Sequence, residues 1–299
     1  MPGSGQGSTA PAADDVRSAP PRSRGGAERP VSFLLGLPLA VVVACLLLWP
    51  LGVLAFNSLI SDAGEVSFDN YVAVLTGAEY LESFGWTSVL AFGSTAIALV
   101  LCVPAALYIE RTQSRASRGI AVALTIPLSL PGIVIGFFVI LVFGRTGLVP
   151  VMSERTTGES VGEIAYTFSG LLLGYLYFNI PRVILVVRGA VAQVPHDTLD
   201  AARTLGASPW HVYQRVVIPA LRPAIASASA LSLATAFGAY GTAVTLSRGY
   251  KVVPLDIAAA FTETFQPERA ATLSVVLALV TTLILVGVSR LGEKGGRVP

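Results

Sequence analysis

The stretch Val194–Pro223, VPHDTLDAARTLGASPWHVYQRVVIPALRP, is a polar interval in a chain whose other long segments are mostly apolar. Its pattern predicts a first short helix that ends at Gly206, where a glycine is favoured as a helix stop. Ser208 is placed as the N-cap of a second helix, which we expect Pro219 and Pro223 to end. The interval therefore predicts two water-facing helices separated by a glycine break.

The composition of the whole chain excludes an ordinary water-soluble fold. Of its 299 residues 53% are hydrophobic and 13% charged, and the mean hydropathy is +0.70. These values are typical of a multi-pass membrane protein. We predict an all-α protein with six transmembrane helices at about Val31–Phe56, Trp86–Ile109, Gly119–Phe143, Phe168–Val187, Ala224–Leu246 and Ala270–Val288. The six-span domain covers residues 31–291, between a tail at 1–30 that is too polar to bury a core and a short tail at 292–299.

Two of the predicted spans carry unusual residues. Pro127 and Pro131 make a regular helix unfavourable in the third span, and irregular backbone at that depth must face protein or water instead of lipid. The fifth span has small residues at every fourth position, which favour close approach of another helix. These residues are Ala226, Ala230, Ala234, Gly238 and Thr242.

The distribution of basic residues predicts the orientation. Most of the 20 Lys and Arg lie on one side of the membrane if the N-terminus is cytoplasmic, and this agrees with the positive-inside rule. Six spans return the C-terminus to the same side. We therefore expect both termini and the interval Val194–Pro223 to face the cytoplasm.

The sequence lacks the motifs and residues that several kinds of nucleotide-binding and catalytic site need. Neither lysine, Lys251 or Lys294, lies in a phosphate-binding GxxxxGK[ST] loop, no HExxH or GxSxG motif occurs, and the predicted spans contain no acid. We expect no catalytic residue, cofactor or metal ion. The cysteines and histidines have no metal-ligand spacing: Cys45, Cys102, His196 and His211. A DNA-binding helix-turn-helix is disfavoured because membrane spans flank the helix pair on both sides.

Polar residues within the predicted spans are candidates for a translocation path, because such groups avoid lipid and face the interior of a bundle. An alternative role is hydrogen bonding between packed helices. The candidates are Ser129, Tyr175, Asn179, Tyr240 and Thr242.

Seven residues of the polar interval resemble the EAA loop, E-A-A-x3-G-x9-I-x-L-P, of permease subunits of ABC importers. They are Asp200, Ala201, Ala202, Gly206, Val216, Ile218 and Pro219. Asp200 stands where the family usually has Glu, while Val216 and Ile218 replace Ile and Leu. The order of spans around the loop is also similar to the family, over about Val31–Leu291.

The resemblance implies a subunit that forms half of a transport path in a bacterial inner membrane. It implies that these seven residues couple the chain to two separate ATPase subunits, so that this chain itself is not an enzyme. The other implied partners are a second permease subunit, expected to be non-identical, and an extracytoplasmic solute-binding protein. The plainer alternative for Asp200 is a first-turn carboxylate that stabilises its helix.

A second resemblance concerns the solute. GAYGTAVTLSRG at 238–249, followed by VVPLDIAAAF at 252–261, is similar to the permease group that serves polyamines, ferric iron, thiamine and 2-aminoethylphosphonate. It implies a small polar solute, polyamine-like or 2-aminoethylphosphonate-like. The alternative from another functional class is a membrane receptor or scaffold whose helix pair recruits a cytoplasmic partner without moving solute.

Overall fold

The computed structural model describes residues 38, 41–61, 64–112, 114–195, 202, 204 and 206–295. Within these residues the β-structure is one isolated bridge between Ile60 and Val66, and the rest consists of helices and loops. The all-α prediction is confirmed. The chain divides into two units, Met1–Leu51 and Gly52–Pro299.

The described part of the first unit is apolar helix. A π-helical turn, Ala44–Leu48, leads into helix α1 (Trp49–Asn57), which continues past the division, and neither contains a buried residue. The apolar helical stretch Val41–Asn57 is shorter than the ~20 residues that a spanning helix needs. The start of the first predicted span lies outside the described residues, so the count of six spans stays a prediction.

The second unit contains the remaining helices. In chain order they are α2 (Asp69–Thr76), α3 (Ala78–Thr112), α4 (Arg115–Ala123), α5 (Ile126–Ser129), α6 (Gly132–Phe143), α7 (Leu148–Thr157), α8 (Phe168–Val191), α9 (Pro209–Val212), α10 (Ile218–Phe237), α11 (Tyr240–Leu246), α12 (Val253–Thr262) and α13 (Pro267–Gly295). Five stretches of the described chain are long and apolar enough to cross a membrane, and each overlaps one of the last five predicted spans. They are Ala78–Thr112, Gly132–Thr157, Phe168–Val191, Trp210–Phe237 and Pro267–Gly292.

The third predicted span is interrupted at its prolines, as expected. Helix α5 stops at Ser129, Leu130 and Pro131 are extended, and α6 starts at Gly132. Pro131 cannot donate a backbone hydrogen bond, and its ring disfavours helical geometry at Leu130. The stretch that is long and apolar enough to cross a membrane begins at this break and extends to Thr157, while helix α6 within it ends at Phe143, as the predicted span does.

The predicted end of the second loop helix is wrong. Pro219 and Pro223 do not end it, because α9 continues through a π-helical turn, Tyr213–Val217, directly into α10. In that turn the backbone N–H of Ile218 donates to the carbonyl of Tyr213, five residues earlier. The wider turn relieves the clash between a proline ring and the carbonyl four residues before it, so the helix passes Pro219.

The predicted fifth span, Ala224–Leu246, is not one helix. Helix α10 ends at Phe237, Gly238 and Ala239 leave the helical conformation, and α11 starts at Tyr240. The regular stripe of small residues therefore ends at Gly238. Its first member does allow a close approach, since a Cβ added to Gly292 of α13 would lie 2.3 Å from the Cβ of Ala226.

The buried residues form two large clusters around α3, α8 and α10. The loop-side core includes Cys102, Val187 and Leu221, together with Val212 and Val217 from the start of the α9–α10 helix. The cavity-side core is formed by other residues of the same helices and by α6 and α11. It includes Leu90, Ile135, Tyr175, Phe237 and Leu246.

Candidate functional site

The predicted coupling loop is described at Ala202, Thr204 and from Gly206 onward, and Asp200 and Ala201 lie outside the described residues. Gly206 has a φ of +80°, a left-handed conformation that L-residues rarely adopt. The backbone N–H of Ala207 donates to the carbonyl of Ala202 at 3.2 Å. The predicted glycine break is therefore present at Gly206.

The second half of the loop is capped and packed as a helix. The Ser208 hydroxyl accepts a hydrogen bond from the backbone N–H of His211 at 3.4 Å, which confirms the predicted N-cap. Val216 and Ile218 are partly buried and pack against the loop-side core. Val216 also lines a cavity of about 590 Å³ between the C-terminal end of α8 and the side of α10. The second half of the loop is thus continuous with helix α10.

Two arginines hold the end of α8 against α3. The guanidinium of Arg188 donates from Nε and Nη2 to Oε2 of Glu110, at 3.0 and 2.8 Å. Arg111 donates from Nη2 to the carbonyl of Val194 at 3.0 Å. We call Glu110, Arg111, Arg188 and Val194 the loop clamp. In the sequence these arginines contribute only to the charge bias that predicts the orientation, because nothing in the chain order indicates that the ends of α3 and α8 meet.

A cavity of about 250 Å³ lies inside the second unit where the two interrupted spans meet α8. The break at Leu130 and Pro131 and the break at Gly238 and Ala239 both open onto it. The Thr242 hydroxyl donates to the carbonyl of Gly132 at 3.2 Å and so ties the start of α11 to the start of α6. The lining residues are Pro127, Leu128, Leu130, Gly132, Ile135, Phe178, Arg182, Thr235, Gly238, Ala239, Tyr240, Gly241 and Thr242. We call this space the central cavity.

The structure brings two of the five predicted path residues to the central cavity. Tyr240 and Thr242 line it, whereas Ser129 lies between lining residues and donates to the carbonyl of Ile126 at 2.8 Å. Tyr175 and Asn179 are fully buried. Asn179 donates from Nδ2 to the hydroxyl of Ser94 at 3.1 Å, a contact between α8 and α3 of the kind expected for helix packing. A path role for Ser129, Tyr175 and Asn179 stays a prediction.

Arg182 is the residue of the central cavity that the sequence analysis left without a role. It is half-buried, and its Nη1 is buried without a hydrogen-bond partner among the described residues. Its guanidinium carbon lies 5.8 Å from the centre of the Phe178 ring. An arginine near the middle of a span costs roughly 2.5–3.5 kcal/mol, so such residues commonly serve function. The signal was visible in the sequence as a lone charge inside an apolar stretch.

A second cavity, of about 500 Å³, shares Tyr240 with the central cavity. Its wall includes charged residues from the α11–α12 connection and from α12 and its end, namely Lys251, Asp256 and Glu263. Burial raises the pKa of Asp256 above its ordinary value, against the opposing effects of a hydrogen bond with Ser83 and the charge of Lys251. Tyr240 therefore lines both the central cavity and this second, polar cavity.

Residues 98–292 match the family described as binding-protein-dependent transport system inner membrane component. This match covers well over half of the chain. The chain therefore belongs to this family of ABC importer permeases, as the EAA-like loop indicated, and it is a multi-pass inner-membrane protein.

Two relatives and one solved structure illustrate the range of similarity. The chain is 29% identical to the molybdenum transport system permease protein ModB of Mycobacterium tuberculosis, covering 81% of this chain and 88% of the relative. It is 26% identical to a protein of Salmonella typhimurium named "Putative 2-aminoethylphosphonate transport system permease protein PhnU". The similarity covers 77% of this chain and 80% of the relative. A bacterial ABC transporter involved in import of the acidic polysaccharide alginate matches with a TM-score of 0.75 at 15% identity, covering 89% and 96%. The structural match shows that the fold is that of an importer permease.

Proposed function

We propose that this chain forms half of the translocation path of an ABC importer for a small tetrahedral oxyanion. The observation that carries the proposal is the central cavity, which interrupted helices line within a permease fold. Irregular backbone at membrane depth is tolerated where it lines a cavity or is covered by protein, and transporters use it to form solute sites.

The names of the relatives support an oxyanion as the solute class. Molybdenum dissolved in neutral water is the tetrahedral dianion molybdate, and a phosphonate is a tetrahedral oxyanion too. The described lining of the central cavity contains Arg182 and no carboxylate. This charge would attract an oxyanion and repel a polyamine. A 2-aminoethylphosphonate-like solute fits this class, whereas the polyamine-like alternative is disfavoured.

The coupling role rests on how the loop is attached to the spans. We assign it to Asp200, Ala201, Ala202, Gly206, Val216, Ile218 and Pro219, the residues of the EAA-like motif. Helix α9 runs into α10 without a break in the chain of helical turns, and the loop clamp fixes the other end of the loop. A displacement of the loop by an ATPase subunit would therefore move α8 and α10 as rigid bodies. Two separate ATPase subunits would hydrolyse the ATP, as the family resemblance implies.

The remaining partners and the orientation follow from the family resemblance and the positive-inside rule. We propose a second permease subunit that is not identical to this one, an extracytoplasmic solute-binding protein, and cytoplasmic positions for both termini and the coupling loop. A reporter enzyme fused after Pro299 should be active on the cytoplasmic side. A signal from the outer side would contradict the orientation.

The test is reconstitution with ATPase subunits, a second permease subunit and a solute-binding protein. ATP-dependent accumulation of molybdate, sulfate or 2-aminoethylphosphonate in proteoliposomes would support the proposal. ATPase recruitment without accumulation of any solute would instead favour the receptor or scaffold. Asp200→Ala should weaken co-purification of the ATPase, and unchanged co-purification would favour the simple helix-stabilising role of this carboxylate.

A further inference from the structure

We infer that Arg182 forms a transient binding site for the oxyanion inside the membrane, at the central cavity. The inference rests on the proposed function and names the group that recognises the solute within the chain itself. Three features of the central cavity meet there: an arginine whose Nη1 has no hydrogen-bond partner among the described residues, the start of a helix, and room for a hydrated ion.

The first feature is the position of the charge along α8. Arg182 lies nine residues before the C-terminal end of this helix at Val191, which corresponds to ~13 Å of helix rise. It lies further still from the start at Phe168. Arg182 also lies inside the predicted fourth span, Phe168–Val187, and its side chain lines the central cavity.

The second feature is the state of the guanidinium. Arginine offers five N–H donors in a planar fork that suits the paired oxygens of an oxyanion. Nη1 of Arg182 is buried and has no hydrogen-bond partner among the described residues, and no carboxylate lines the cavity. A buried donor without a partner is unfavourable. An anion in the cavity would supply the missing acceptor.

The third feature is the rest of the cavity wall. Gly132, the first residue of α6, lines the cavity, so the positive dipole end of that helix lies beside the same space. Thr235 and Tyr240 add hydroxyl groups to the lining. The volume of about 250 Å³ is that of roughly eight waters at ~30 Å³ each, which accommodates a tetrahedral oxyanion with part of its hydration shell.

The site should bind weakly, because a path must release what it binds. One arginine and a helix start fit this need better than a closed cage would. Tyr240 also lines the second cavity of about 500 Å³, so this side chain lies between that cavity and the one that Arg182 lines.

The first experiment compares charge variants in the complete importer in proteoliposomes. We expect Arg182→Gln to reduce oxyanion uptake by tenfold or more, and Arg182→Lys to retain clearly more uptake than Arg182→Gln. Arg145→Gln is the matched control, since Arg145 has an 88% exposed side chain in the α6–α7 connection, and it should transport like the wild type. Equal loss in Arg182→Lys and Arg182→Gln would overturn the charge role.

A second experiment separates the role of the charge from folding. In a background in which Cys45 and Cys102 are replaced by alanine, Arg182→Cys is assembled first and then modified with methanethiosulfonate reagents. The aminoethyl reagent restores a positive charge and should restore uptake, whereas the sulfonatoethyl reagent adds a negative charge and should not. Equal uptake after both reagents would refute the inference.

The outcomes also separate the inference from the proposed function. If the wild-type importer accumulates molybdate, sulfate or 2-aminoethylphosphonate and Arg182→Gln does so equally well, only the role of Arg182 fails. If the wild-type importer accumulates spermidine and none of these oxyanions, the proposed solute class fails and the inference fails with it.

Discussion

Gly206 offers a test of whether the coupling loop depends on backbone shape. Its φ of +80° is left-handed, and a Cβ added there would meet no described atom within 4 Å, so backbone strain and not crowding of the Cβ opposes a substitution by alanine. The left-handed conformation costs an L-residue roughly 1–2 kcal/mol, less for asparagine and more for a β-branched residue. Alanine should therefore disfavour this loop geometry by about 5- to 30-fold, and valine by more.

The assay is the number of solute molecules imported per ATP hydrolysed in proteoliposomes. We expect Gly206→Asn to remain coupled, Gly206→Ala to be intermediate and Gly206→Val to hydrolyse ATP with little uptake. Gly189→Val is the control, because Gly189 also has open space around an added Cβ but lies in the regular helix α8. Coupling by Gly206→Val at the wild-type level, or equal uncoupling by Asn and Val, would refute the dependence on the left-handed backbone.

Three further predictions concern stability in detergent. Replacing Arg188 by methionine should lower the free energy of unfolding by roughly 1–3 kcal/mol, because Glu110 keeps a half-buried charge without its partner; a double-mutant cycle with Glu110→Gln measures the coupling, and additive effects would contradict it. Burial raises the pKa of Asp256, so the protonated carboxyl favours folding, and this stability is lost as pH rises through the folded pKa. Asp256→Asn should therefore raise the Tm at pH 7, and this gain in Tm should disappear at a pH below the ordinary pKa of an aspartate. An equal gain in Tm at pH 7 and at the lower pH would point to another cause. Gly136→Ala places a Cβ 1.6 Å from the Thr245 hydroxyl and should cost about 1–3 kcal/mol, while Gly93→Ala meets nothing within 4 Å and should be neutral or stabilising; equal Tm values for the two variants would show that α6 and α11 do not pack this closely.

The interrupted spans show where local sequence signals suffice. Pro127 and Pro131 act on the backbone next to them, so the break in the third span could be predicted from the chain alone. The predicted fifth span, Ala224–Leu246, contains no proline that would indicate a break. Its break at Gly238 and Ala239 brings Tyr240 and Thr242 to face α6, and the Thr242 contact with Gly132 joins residues far apart in sequence.

Pro219 shows how a local signal can mislead. A proline in a helix pattern commonly marks an end, but a π-helical turn just before it lets the helix continue. The free-energy cost of that wider turn is offset by packing, since Val217 and Leu221, on either side of Pro219, are buried in the loop-side core. Tertiary packing therefore overrides the local preference at this position.

The sequence by itself determined the membrane class, the approximate positions of the last five spans, the glycine break at Gly206 and the family. These depend on composition, on hydropathy over ~20 residues and on a motif of fixed spacing, all of which are local in the chain. Only the tertiary structure decided which polar groups meet. Arg182, Gly132 and Tyr240 come from three different helices, and they share one cavity because helix packing places the breaks of two spans against α8.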